Sequence, residues 1–151
     1  MPWEWNQRQD RALQQLKTAL MEAPVTAYFD PSRNTEVSVD ANPVGLGAIL
    51  AQTSEPIISD KHLVAYESRS LTPVEQRYSQ TEREAFAVVW GCEYFYLNVY
   101  GKPVTVTTDH KPLLAIYNNP RSKPPPRIER WTLRLQPCRS EERRVGKECR
   151  L

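Results

Sequence analysis

A chain of 151 residues suits one domain with one core, and 40% apolar against 25% charged residues favours a folded body over a disordered chain. No run approaches the roughly 18 apolar residues of a membrane helix, and the opening MPWEWNQRQD has neither a basic start nor an apolar stretch, so no membrane span and no secretory signal are expected. Cys92, Cys138 and Cys149 are odd in number and lack metal-ligand spacing, which points to a reducing, intracellular compartment. The net charge of +2 resides entirely in residues 139–151, leaving the rest neutral and giving no global signal for a polyanionic partner. The local signal is Arg121, Lys123, Arg127, Arg130 and Arg134, opposed within that segment only by Glu129. These residues suit a phosphate backbone or, equally, a solvated helical face.

In chain order, residues 7–22 read as a helix whose Leu13, Leu16, Ala19 and Leu20 form an apolar stripe, ended by Pro24. Trp3 and Trp5 before it are anchors, either for another surface or for this domain's own core. A short extended piece, 25–29, leads into the turn-prone DPSRN. Glu36 to Asp40 alternates as a strand with Val37 and Val39 on one face. Gly45 to Gln52 reads as a second strand, in which Gly45 and Gly47 suggest close backbone approach or a sharp twist rather than a phosphate cradle. A turn over Thr53–Lys61 and a strand over His62–Glu67 complete an antiparallel meander.

Ser79 and Glu82 have capping-box spacing before a long helix whose buried face is Ala85, Val88, Val89, Cys92, Phe95 and Tyr96. Gly101 breaks that pattern, and Lys102–Thr108 reads as a fourth strand laid parallel to an earlier one by the helical crossover. Asp109 to Pro112 opens a short helix through about Tyr117, NNPRSKPPP is an exposed connector, and Ile128–Leu135 is helical again. Tyr66, Tyr78, Tyr94, Phe95, Tyr96 and Tyr100 read as core or rim packing rather than base-stacking platforms.

Asp40, Glu84 and Asp109 stand where elements begin or end. If they converge, their mutual repulsion calls for a hard divalent cation. Each also has an ordinary alternative: Asp40 capping the turn at Asn42–Pro43, Asp109 as N-cap of the short helix, and Glu84 favouring the helix dipole. His110 either touches substrate or shapes its turn.

The segments DANPVGLGAIL, VAYESRSLTPVEQRYSQTEREAFAVVW and YGKPVTVTTDHKPLLAIYNNP closely resemble the RNase H-like domain of reverse transcriptases from Ty3/gypsy-type long-terminal-repeat retrotransposons. The preceding LQQLKTALMEAPVTAYFDPS resembles the segment that joins this domain to the polymerase connection. The resemblance implies an α/β fold with a mixed sheet: an antiparallel three-stranded meander, a crossover helix and a parallel fourth strand. It further implies hydrolysis of the RNA strand of an RNA–DNA hybrid with two divalent ions, Mg²⁺ or Mn²⁺. By motif, Asp40 in VDANPVG, Glu84 in TEREAFAV and Asp109 in TDHKPL are then the catalytic and metal-binding carboxylates, and His110, Arg121, Lys123, Arg127 and Arg130 are candidate substrate contacts.

The resemblance divides the chain into a connection segment and helix at 1–24, the RNase H-like domain at 25–138, and a charged tail at 139–151 that departs from the family pattern and reads as foreign sequence. On that reading the final strand, the final helix and a fourth carboxylate are missing and activity is impaired. The implied setting is the cytoplasm or a virus-like particle, with polymerase and connection domains of the same polyprotein as neighbours. Two rivals are an integrase-type core and a catalytically inactive structural module or fragment of a retroelement polyprotein. The order Asp, Glu, Asp disfavours the first, since such cores carry Asp, Asp and then a helical Glu.

Overall fold

A computed structural model describes residues 4–22, 27–54, 61–119 and 121–135. Trp3, Pro24, the centre of the Thr53–Lys61 turn, Cys138, Cys149 and the 139–151 tail lie outside the described residues. Helix α1 (Gln7–Glu22) precedes three strands, β1 (Asn34–Ala41), β2 (Gly45–Thr53) and β3 (Lys61–Ser70). A short 3₁₀ turn at Glu75–Arg77 leads to α2 (Gln80–Tyr94), then α3 (Tyr96–Val99), β4 (Val104–Thr107), α4 (Lys111–Asn118) and α5 (Pro126–Arg134). Among the described residues the sheet has four strands in the order β3-β2-β1-β4. β1 pairs antiparallel with β2 and parallel with β4, so the expected meander, crossover helix and parallel fourth strand are present. No helix among them is long and apolar enough to cross a membrane.

Strand alternation decides which face is covered. Val37, Val39 and Ala41 of β1 and Leu46, Ala48 and Leu50 of β2 are buried, with α2 lying across β1 and β2. A register shift between Leu50 and Ala51 lets Leu50, Ala51 and Gln52 all be buried in succession. The Gln52 amide is satisfied by the neighbouring segment: it donates to the Asp30 carbonyl at 2.8 Å and to Thr35 Oγ1 at 3.0 Å, and accepts from Asp30 N–H at 2.9 Å. On the other face Glu36 accepts from Ser38, Lys61 and Thr107, tying β1, β3 and β4 together.

Helix α2 starts at the expected capping box: Ser79 Oγ accepts from Glu82 N–H, and the Glu82 carboxylate accepts from Ser79 N–H. It comes close to the sheet at Gly91, a residue the apolar pattern does not single out. A Cβ there would meet Val39 Cγ1 at 2.9 Å and the Ala48 Cβ at 3.3 Å. Helix α5 then packs on α2 through Trp131, which stacks on Phe86 at 5.3 Å and meets Tyr78 at 5.6 Å.

Several expectations need correction. Tyr96 does not continue the buried face of α2; it is 40% exposed, because the helix ends at Phe95 (φ −90°, ψ 22°) and a new short helix starts out of register. β4 is shorter than expected, since Lys102 stands in the turn made by Gly101 at φ +68°. Gly45 does meet a close approach, with the Arg69 carbonyl 3.2 Å from where its Cβ would be, but Gly47 has nothing within 4 Å. The α1 stripe leaves Leu16 64% and Leu20 49% exposed, and Trp5 is 49% exposed with its indole N–H bonded to Asp10. Leu20 lines a cleft of about 420 Å³ with Ile49, Leu63, Tyr66 and Asp40 on the face away from α2.

The Gly91 contact is directly testable. Alanine gains about 1 kcal/mol of helix propensity over glycine, yet here the methyl would overlap a β-branched side chain with little freedom to move. Urea denaturation of Gly91→Ala should therefore show a net loss of about 1–2 kcal/mol. Adding Val39→Ala should cost less than the sum of the two single changes, because it removes the obstructing methyl.

Candidate metal centre

The parallel register brings two of the carboxylates level. β1 and β4 pair Ser38 with Thr107, and continuing that offset past the end of β4 sets Asp109 beside Asp40. The third comes from the helix above: Glu84 lies in the second turn of α2, on the face that packs against the sheet, and is 2% exposed. One carboxylate oxygen from each of Asp40, Glu84 and Asp109 can be chosen so that all lie within 4.8 Å of one another, with the two aspartates open to solvent. Convergence of β1, α2 and the segment after β4 produces this cluster, and spacing along the chain alone does not establish it.

The ordinary alternatives are not realised. The turn after β1 is capped by Asn42, whose Oδ1 accepts from Val44 and Gly45 N–H at 2.9 and 2.7 Å. The N-cap of α4 is His110, one residue beyond Asp109. Glu84 lies beyond the first turn, where the helix-dipole contribution fades, and is buried.

Glu84 carries the main electrostatic load of this cluster. Burial, then the nearby Asp109 and Asp40, push its carboxyl up to about 7, against the lowering effects of Gln80 and Arg83. Gln80 Nε2 donates to Oε1 at 2.8 Å, but Oε2 is buried without a hydrogen-bond partner. A buried oxygen without a donor, in a group of three carboxylates, fits a hard cation with oxygen ligands. The residues present therefore suit Mg²⁺ or Mn²⁺.

The expected substrate-contact residues separate. His110 shares a hydrogen bond of 3.1 Å between its Nε2 and Thr81 Oγ1, tying the segment that carries Asp109 to α2. Arg127 is already engaged, paired with Glu82 at 2.9 Å and lying 4.5 Å over the Tyr78 ring. Arg134 forks onto Glu93 through bonds of 2.9 and 2.7 Å. The basic segment is thus opposed by two acids of α2 besides Glu129, a pairing across more than forty residues that local charge pattern does not reveal. Arg121, Lys123 and Arg130 remain exposed or partly exposed on the connector and α5, with no side-chain ion pair among the described residues. Gln80 is the site residue that reading the chain missed; its signal was the spacing of four that places it one turn before Glu84.

The raised Glu84 carboxyl has a calculable consequence for the metal-free protein. Between pH 4.5 and about 7 the folded state retains a proton that the unfolded chain has released, so stability falls as pH rises through that window. Glu84→Gln removes the penalty. In EDTA it should be more stable than the parent at pH 8, by an amount of order 2–3 kcal/mol, with most of the gap closed at pH 4.5. Saturating Mg²⁺ should narrow or reverse the difference at pH 8 by stabilising only the parent; parallel urea titrations measure all three.

Residues 30–138 match the family described as the RNase H-like domain found in reverse transcriptase. Among curated proteins, the retrovirus-related Pol polyprotein from transposon 412 of Drosophila melanogaster is 35% identical over 125 residues, covering 82% of this chain and 10% of that protein. The transposon Tf2-3 polyprotein of Schizosaccharomyces pombe is 30% identical over 137 residues, covering 89% of this chain and 10% of its own length. The chain thus spans about a tenth of the length of these relatives. In fold it is similar to the foamy viral protease-reverse transcriptase dRH solved with double-stranded DNA, with TM-score 0.68 at 17% identity over 89% of this chain and 25% of that one. The foamy viral protease-reverse transcriptase solved with an RNA/DNA hybrid matches with TM-score 0.56 at 18% identity, over 88% of this chain and 18% of that one. RNase H1 from the archaeon Halobacterium salinarum matches with TM-score 0.50 at 12% identity, over 70% of this chain and 76% of that one. The mixed sheet, its crossover helix and these matches together place the chain in the family of RNase H-like domains of reverse transcriptases, of the kind carried by retrotransposon polyproteins.

Proposed function

We propose that this chain is a divalent-metal-dependent nuclease module that hydrolyses the RNA strand of an RNA–DNA hybrid. The observation that carries the reading is the meeting of Asp40 of β1, Glu84 of α2 and Asp109 of the segment after β4, with the buried Glu84 Oε2 lacking a donor. The hybrid as substrate is supported by family membership and by a foamy viral relative of the fold solved with such a hybrid.

Asp40, Glu84 and Asp109 are the residues that would hold Mg²⁺ or Mn²⁺, of which the complete family domain is expected to use two. Bound metal supplies an activated water and stabilises charge on the leaving oxygen of the phosphodiester. The chain's own contribution is placement. Asp40 and Asp109 present solvent-facing carboxylates at the ends of paired strands, and the buried Glu84 closes the inner side of the site. Arg121, Lys123 and Arg130 attract the phosphate backbone, while Arg127 and Arg134 keep α5 on α2. His110 holds the Asp109 segment to Thr81. Helix α1, with its exposed leucine stripe, belongs to the 1–24 connection segment and meets polymerase or connection domains of a longer polyprotein. The setting is then the cell interior or a virus-like particle.

A labelled RNA strand annealed to DNA, incubated with the full 151-residue chain, tests the reading. Whatever its rate, cleavage should need Mg²⁺ or Mn²⁺, stop in EDTA, spare the DNA strand, and fall at least about 100-fold in Asp109→Asn. Absence of metal-dependent cleavage, or cleavage indifferent to Asp109→Asn, would favour the inactive structural module.

A further inference from the structure

Four residues before Glu84, Gln80 is the first residue of α2, immediately after the capping serine. Its side chain is held at both ends. The amide Nε2 donates to Glu84 Oε1 at 2.8 Å, and Oε1 of Gln80 accepts from Arg83 Nη2 at 2.7 Å. Arg83 is fixed in turn, because its Nη1 donates to the Tyr78 carbonyl at 2.9 Å and to the Gln76 carbonyl at 3.4 Å. Hydrogen bonds donated by the guanidinium and the amide thus link the backbone carbonyls before α2 to one oxygen of the buried carboxylate. The amide's orientation is determined by its two neighbours: only the NH₂ group can face the carboxylate, and only the oxygen can face the guanidinium.

The result is asymmetric. Oε1 of Glu84 is occupied while Oε2 is buried without a partner, in the cluster with Asp40 and Asp109. Without the Gln80 bond, rotation about the last torsion of Glu84 would cost little, and either oxygen could turn away from the two aspartates. We propose that Gln80, backed by Arg83, is a positioning residue that holds the Glu84 carboxylate with one oxygen presented to the divalent cation. This inference rests on the metal-binding reading of the three carboxylates. It adds that the reach of Glu84 to the metal is set by a side chain outside the three-carboxylate cluster. Residues that hold a ligand from behind in this way commonly tune metal affinity about 10–100-fold.

Mn²⁺ titrations of the full chain, followed by paramagnetic broadening of side-chain carboxyl signals and by calorimetry, separate the possibilities. Gln80 is solvent-exposed in the first turn, so Gln80→Met keeps length and helix propensity while removing both hydrogen bonds. The expected result is an Mn²⁺ dissociation constant raised about tenfold, with a thermal midpoint in EDTA close to the parent's. Arg83→Met, which removes the backing but leaves the amide, should shift the constant in the same direction by about threefold. Gln80→Met affinity within twofold of the parent, alongside loss of binding in Asp109→Asn, overturns the positioning role and leaves the metal site standing. No Mn²⁺ response in the parent overturns both.

Discussion

Burying a carboxylate against two other carboxylates is unfavourable twice over, through lost hydration and through like-charge repulsion, and Glu84 bears both costs. Nothing in the packing of the sheet requires an acid at that position; its neighbours on α2 are Ala85, Ala87, Val88 and Val89, all buried. The fold tolerates the arrangement because the helix is anchored elsewhere. Its start is fixed by the Ser79–Glu82 capping box, and its far half sits on Val37, Val39 and Ala48 at Gly91. The interaction is thus a local strain maintained by the rest of the domain, and a hard cation is the simplest agent that relieves it.

The contact at Gly91 and the contact at Glu84 are connected through one rigid element. They lie about two turns apart on the same helix, so the height of α2 above β1, set where a glycine allows backbone to approach valine, also sets how far Glu84 reaches toward Asp40. Helix α5 reinforces that seating with Trp131 against Phe86 and Tyr78, and with Arg127 and Arg134 bridging to Glu82 and Glu93. Basic residues that look available for nucleic acid in the linear chain are in part the fasteners of this helix pair.

Elements set by local pattern were legible in the chain. The period of α1, the alternation of β1 and the Ser79–Glu82 spacing are each decided within a few residues. Less legible was what each element would meet. Leu13, Leu16 and Leu20 have the spacing of a core-facing stripe, yet they stay exposed, because periodicity records an apolar face without naming its partner. Tyr96 looked buried because a helical count was carried through Phe95, where the backbone leaves the helix. Spacing placed Asp40, Glu84 and Asp109 at element ends, but their proximity depends on a parallel register and a helix crossing that no local signal encodes. The family motifs supplied that link. The role of Gln80 needed side-chain hydrogen bonds to become visible.

The most direct measurement is anomalous diffraction from crystals of the full chain grown in Mn²⁺, collected near the manganese edge. The account predicts an anomalous peak within coordination distance of a carboxylate oxygen from each of Asp40, Glu84 and Asp109, with Glu84 contributing the oxygen that Gln80 does not hold. A three-carboxylate cluster that stays free of manganese at saturating concentration, with Glu84 hydrogen-bonded through both oxygens to protein donors instead, would contradict it.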